Sequence, residues 1–402
     1  MEKRKDQPIM SKIAQIAERL LQEVPSVKKL AKFTQPTDYD FLQKLYQGAR
    51  LNLKEKYPNK AQTKVLDLYP GFSLSSLALY ETLSPQQQLL LDTNEKFNEF
   101  VDQNLEMVKT AQQPLKSDGN KFKYYYSQLP ELQNLQHAHL NPYQWATYST
   151  ITNHDISTNK TVDPERAIFL PTKQDTNKPH DEFLIHGNLT GLVCARYSGE
   201  ALLMQLYGCV HRQNWMQRFG KIRMLFWVRE ATALKLIARP GDVGRSKASL
   251  IAETFTNTSL IAVNKATVEE PKSKRYVLHP ELLAKHNPVI FSDNEANVVT
   301  EDKERIALIE IEPAAFPSFD FEQWDYVTRQ LFVLHNHPLT TSISTLGPGA
   351  KEWILPRFPK EYHDLKPTQL SREMFSEIYE IFLNWPFKPD INLDFLDIYQ
   401  DV

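Results

Sequence analysis

Lys64-Val65-Leu66-Asp67-Leu68-Tyr69-Pro70-Gly71 is the stretch on which the fold reading turns. Val65, Leu66 and Leu68 form a short apolar run of the kind buried in parallel sheets, and Pro70-Gly71 stops it in a tight turn. Ser73 to Glu81 has Leu74, Leu77 and Ala78 at helical spacing, with Ser73 or Ser75 as candidate caps. After Ser84-Pro85, Leu89-Leu90-Leu91 ends at Asp92, and Glu95 to Met107 is again helical in pattern. The order is β-α-β, with a carboxylate about 20 residues beyond the first turn, where doubly wound sheets hold a ribose hydroxyl. The turn itself is poor in glycine. Only Gly71 is present, and Tyr69, Phe72 and Ser73 stand where bare backbone would approach a ligand. A nucleotide scaffold with a partly filled pocket and an α/β crossover that binds nothing are both open readings of this stretch.

Length and composition set the frame around it. A chain of 402 residues with 41% hydrophobic content suggests one large α/β domain and something smaller. No run approaches the ~18 apolar residues of a membrane span. Two cysteines, Cys194 and Cys209, supply neither a disulfide framework nor a cysteine metal site and read as core residues. The net charge of −2 gives no global argument for nucleic acid, so any such contact rests on local patches. His137-x-His139 and His335-x-His337 lack neighbouring ligands, and no metal is expected. Walker-type loops and serine-hydrolase elbows are absent from the sequence.

Outward from the turn, residues 1–32 form an extension with an apolar stripe from Ile13 to Val24; four acids among eight cations argue against a plain transit peptide. Residues 33–58 look helical, and 108–140 and 152–179 read as polar loops. Asn141-Pro142-Tyr143-Gln144-Trp145 places aromatic rings on a loop, either packed beneath it or free to stack on unpaired bases. Phe183 to Gly191 is the next strand and turn. From Arg212 to Lys247 there are nine Lys/Arg against two Asp/Glu, around a buried strand at Ile222–Trp227. Gly244-Arg245-Ser246-Lys247 then offers a hydroxyl, a guanidinium and an ammonium suited to phosphates, although charge runs are commonly solvated faces. Leu250–Val263 and Arg305–Glu312 read as the last strands, the second as an antiparallel closing strand. Pro313–Phe319 reads as a link, the chain from Phe321 as helical, and the end from Asp390 as an acidic amphipathic tail.

Lys64–Gly71, Asn141–Ser149, Arg218-Phe-Gly-Lys, Ala238-Arg-Pro-Gly, Arg245-Ser-Lys, Trp324–Arg329 and Asn384–Asp390 together resemble the rRNA adenine N6-dimethyltransferase family. Within it they look like the yeast branch that serves as specificity factors of mitochondrial RNA polymerase. The matches run in order from about residue 33 to the C-terminus. The resemblance implies an α/β, class I S-adenosylmethionine methyltransferase-like (Rossmann-like) mixed sheet at 33–315. It also implies a helical C-terminal domain at 316–389 and a tail at 390–402. It implies a vestigial cofactor site of Phe33, Asp92, Asn141 and Asn188, with no S-adenosylmethionine required. Methylating relatives carry Asp at the place of Asn141, and Asn-Leu/Ile-Pro-Tyr/Phe where this chain reads Asn188-Leu189-Thr190-Gly191. Without that last ring the flipped adenine has no stacking partner, which puts methylation in doubt. The expectation is a non-enzymatic, monomeric initiation factor of the mitochondrial matrix. It would bind mitochondrial RNA polymerase and the melted strand of promoter DNA, with Tyr143 and Trp145 stacking and Lys235, Arg239, Arg245 and Lys247 on phosphates. An active dimethyltransferase is the alternative. A nucleotide-sugar or NAD enzyme keeps only the scaffold argument.

Overall fold

The computed structural model describes residues 11–15, 17, 33–92, 122–123, 130–155, 160–161, 163–193, 197–299, 304–314 and 320–391. Among the described residues nine strands form the central sheet: β1 (Lys64–Leu68), β2 (Gln87–Leu91), β3 (Phe122–Lys123), β4 (Leu135–Ala138), β5 (Pro179–Asn188), β6 (Lys221–Arg229), β7 (Thr256–Asn264), β8 (Val289–Phe291) and β9 (Ile306–Pro313). Their spatial order is β8-β7-β9-β6-β5-β1-β2-β4-β3. β2, β1, β5 and β6 run parallel, whereas β9 is antiparallel to both β6 and β7. The order in which strands are added reverses between β1 and β5, which leaves a crevice at the C-terminal ends of β1, β2 and β5.

Helices cover both faces: α1 (Tyr39–Gln47), α2 (Leu74–Leu83), α3 (Trp145–Thr152), α4 (Gly199–Arg212), α5 (Glu230–Leu236) and α6 (Lys247–Phe255). Leu42 and Leu45 of α1 and Leu77 of α2 pack with Val65, Leu184 and Leu225 on one side of the sheet. Leu202 and Leu206 of α4, with Ile151 of α3, pack with Leu66, Ile185 and Met224 on the other. Alternate residues of one strand thus enter opposite cores, as buried parallel strands require. Beyond the sheet, α7 (Phe321–Val333) and α8 (Arg372–Leu383) pack through Trp324, Val327, Phe375 and Ile378, and Leu250 and Phe255 of α6 join that cluster.

A sealed polar network lies under α1 and α2. Asp67 Oδ1 sits 2.9 Å from His186 Nδ1, Gln88 donates to Asp67 Oδ2 at 3.1 Å, and His186 Nε2 is 2.9 Å from the Tyr46 hydroxyl. Trp227 Nε1 donates to the same hydroxyl at 3.1 Å. Asp67, His186 and Tyr46 are 0–2% exposed, so a constellation that resembles a catalytic relay holds the sheet to its helices instead.

Several expectations change. Residues 33–38 are not helical: Gln35–Pro36 pairs antiparallel with Val298–Val299 before α1 begins. Residues 250–255 belong to α6, and the strand starts only at Thr256. β9 does not close an edge; it lies between β6 and β7 with both faces buried, so even Glu310 is 8% exposed. The Asn-Pro loop ends at Gln144, and Trp145 opens a helix. Cys209 is buried. Cys194, Glu95–Met107, residues 315–319 and the tail after 391 fall outside the described residues, as does most of the N-terminal stripe, although Ala14 and Ala17 pack against the core that holds α1.

Candidate functional site

The crevice at the ends of β1, β2 and β5 begins with the turn after Leu68. Tyr69, Gly71 and Ser73 have φ of +53°, +58° and +60°. This is the left-handed backbone that glycines supply in ligand-cradling turns, kept here with two side chains attached. The Tyr69 ring is 3% exposed and lies 5.5 Å from Phe33. Its single hydroxyl proton is shared between Asn141 Oδ1 at 3.2 Å and the Val193 carbonyl at 3.3 Å, joining the loops that follow β4 and β5. Asn141 Oδ1 also accepts from the Tyr143 backbone N–H at 3.0 Å. Gln35 caps the turn, its Oε1 accepting from the Phe72 N–H at 2.9 Å, and a Cβ on Gly71 would meet that amide. Only Gly71 needs to be glycine, because Gln35 occupies the space above it.

Phe33, Asp92 and Asn188 are 4%, 2% and 6% exposed. The structure brings Phe33 and Asn141 to Tyr69, while Asn188 bonds Thr34 at the end of β5 and Asp92 follows the neighbouring strand β2. Tyr69 is the member that sequence reasoning noted only as a missing glycine. Its position immediately after an apolar strand was the available signal.

At the next turn, Asn188 Nδ2 donates to the Thr34 carbonyl at 3.1 Å, and Asn188 Oδ1 accepts from Thr190 N–H at 3.0 Å and Thr190 Oγ1 at 2.8 Å. Thr190 Oγ1 also lies 2.9 Å from the Thr34 carbonyl. The Thr190 carbonyl accepts from Arg229 Nε at 2.6 Å. Both oxygens that would face an incoming amine, the Asn188 amide and the carbonyl two residues on, are bonded within the chain. This is the ordinary condition of buried polar groups.

The aromatic pair is divided. Tyr143 stacks on the exposed Tyr197 with ring centroids 5.4 Å apart and planes 17° apart, beside the exposed Leu192. Trp145 packs edge-on against Trp215 at 6.3 Å and lines a cleft of about 460 Å³ that also includes Arg212, Lys247, Phe321 and Asp325. Arg212 lies 4.6 Å over the Phe321 ring in that cleft. Tyr197 and Phe321 were not singled out from the sequence, because nothing local distinguishes them from core aromatics.

The four expected phosphate contacts are all engaged by carboxylates. Lys235 pairs with Glu200, Arg239 with Glu281, and Lys247 with Asp325 at 2.6 Å. Arg245 is the clear correction. It is 1% exposed, pairs with Glu253 at 2.7 Å and donates to the carbonyls of Ala238 and Leu370 at 3.0 and 3.2 Å. A guanidinium enclosed in this way ties loop to helix and cannot meet a nucleic-acid backbone. The long basic run is similarly occupied: Arg223 pairs with Glu312 at 2.6 Å, and burial holds Arg218 down at about 10. Among the described residues no group of three potential ligands could hold a metal ion.

Comparison with known proteins follows the same lines. A sequence profile described as ribosomal RNA adenine dimethylase matches residues 42–381. The chain is 34% identical over 353 residues to Mitochondrial transcription factor 1 of Lachancea kluyveri, covering 88% of this chain and 89% of that protein. It is 33% identical over 387 residues to Mitochondrial transcription factor 1 of Saccharomyces cerevisiae, covering 94% and 97%. Among solved structures, it is similar to a dimethyladenosine transferase from Plasmodium falciparum, with 10% identity, a TM-score of 0.45, and 86% and 95% of the two chains covered.

Proposed function

The chain belongs to the ribosomal RNA adenine dimethylase family, and from that premise we propose that it is a mitochondrial transcription factor rather than a methylating enzyme. The relatives named for that role match about nine-tenths of the chain. One observation carries the choice. In the turn where methylating relatives present acceptors to adenine, Asn188 Oδ1 is taken by Thr190 and the Thr190 carbonyl by Arg229. Gly191 offers no ring in place of the stacking partner.

The residues present do not fit S-adenosylmethionine as they stand. Tyr69 fills the turn, and its hydroxyl holds Asn141, the residue that would face the adenine end. Neither cofactor nor methyl transfer is needed for the role. A protein that binds unpaired bases better than duplex shifts a promoter toward its open form by that difference in affinity alone. In this reading the Tyr143–Tyr197 stack is the platform for the melted strand, each base–ring contact contributing about 1–3 kcal/mol. Trp145 and Lys247 extend it into the cleft beside α7. The partners are mitochondrial RNA polymerase and promoter DNA in the matrix. Among the described residues no helix is long and apolar enough to cross a membrane.

Transcription by mitochondrial RNA polymerase on duplex and pre-melted promoters tests this. Run-off product on the duplex is expected only when the protein is added, and product on the pre-melted template with or without it. Methyl incorporation into an rRNA hairpin with no effect on transcription would reverse the assignment.

A further inference from the structure

A second polar cavity, of about 290 Å³, lies along the edge of β7 and has no part in the account above. β8 pairs only with Ala262–Asn264, so Thr256–Ser259 at the start of β7 has no strand on that side. Arg239, Arg245, Glu253, Thr256, Lys285 and His286 line the space.

Three buried donors of this lining have no acceptor within hydrogen-bond distance in the protein; one, Arg239 Nε, lies 3.8 Å from Asp242, and the other two are Arg245 Nε and His286 Nε2. Arg245 uses both terminal nitrogens, yet its Nε has no partner. His286, 5% exposed, accepts at Nδ1 from the Leu260 N–H at 3.3 Å, which puts the proton of the neutral ring on Nε2, and that nitrogen too is unpartnered. Burial, then Lys285 and Arg50, hold its pKa down at about 4, so the ring is neutral near pH 7. An unmet buried N–H is costly, and such donors gathered at one cavity call for an acceptor that enters it.

Charge selects the acceptor. Lys285 is exposed at the rim. Glu253 is held by Arg245, and Asp242 and Glu281 by Arg239. We propose that this cavity binds the phosphate group of a small molecule, with Arg245 Nε and His286 Nε2 as buried donors and Lys285 at the mouth. A continuous nucleic-acid strand does not suit it, because a phosphodiester has chain on both sides, whereas a terminal phosphate enters end-on past Lys285. The group can come from free phosphate or from a phosphomonoester such as a nucleotide.

Calorimetry on the full chain with inorganic phosphate and with AMP, at matched chloride, separates the two sources. Saturable heat of similar affinity for both identifies the phosphate alone; tighter AMP identifies a nucleotide. Lys285→Gln and His286→Phe are each expected to weaken binding about tenfold, as loss of a charged hydrogen bond does. Lys285 is exposed, so its variant keeps the fold and decides the matter if His286→Phe does not. No saturable heat with either probe, heat unchanged by Lys285→Gln, or heat only with a single-stranded oligonucleotide would overturn the proposal.

Discussion

The hydroxyl of Tyr69 and the side-chain oxygen of Asn141 are joined across 3.2 Å, so a residue standing where a glycine would admit a ligand is bonded to a residue that would bind it. The plug and the site are one structure. Tyr69 already has φ +53°, so glycine fits that backbone without strain. Wild-type protein is expected to give no heat with S-adenosylmethionine, and folded Tyr69→Gly to give weak saturable heat. Equal binding by both proteins would contradict the role given to Tyr69.

Arg245 separates structure from nucleic-acid recognition. Arg245→Ala strands the Ala238 and Leu370 carbonyls and Glu253, and is expected to cost about 3 kcal/mol in urea unfolding. The salt dependence of single-strand binding should stay unchanged. A phosphate contact would instead lower that slope by about 0.7 with little loss of stability.

Asp67 is expected to behave as a core residue. Removing it leaves His186 and Gln88 without their buried acceptor, so Asp67→Ala should lose about 3 kcal/mol, and Asp67→Asn less. Both variants, where folded, should bind open DNA like the wild type. Loss of DNA binding at full stability would show the network to be functional.

Stability should fall as pH drops below neutrality. His286 has a folded pKa near 4, below its ordinary value near 6.5, with burial as the chief cause. The unfolded chain therefore takes up the proton first. The contribution of neutral His286 is intact above about pH 6.5 and is lost progressively toward pH 4. After discounting for solvent screening, the loss approaches ~2 kcal/mol. His180 and His211 are shifted the same way by burial and add to the slope. Chemical unfolding at pH 7 and 5 should show a smaller decrease for His286→Gln than for the wild type.

The β-α-β unit from Lys64 to Leu91 was legible because an apolar run, a Pro-Gly stop and helical spacing all agreed locally. Where tertiary placement decides, sequence spacing misled. β9 alternates like an edge strand yet is buried between two neighbours, and the apolar run from Leu250 hides a helix–strand junction at Thr256. Phe33 and Asn141 both reach Tyr69, and Asn188 ends β5 at the same crevice. The phosphate contacts were read from charge and from the family resemblance. Charge does not reveal a distant partner such as Glu281 for Arg239 or Asp325 for Lys247. Tyr197 was invisible for the same reason: its importance comes from a ring 54 residues earlier in the chain.

The most direct test of the central claim is fluorescence anisotropy of a short promoter bubble against the matching duplex, for wild type and Tyr143→Ala/Trp145→Ala. Wild type is expected to prefer the bubble by at least about tenfold, as one or two base–ring contacts supply, and the double variant to lose most of that preference while unfolding normally. Equal affinity for bubble and duplex, or a preference untouched by the double substitution, would contradict the account.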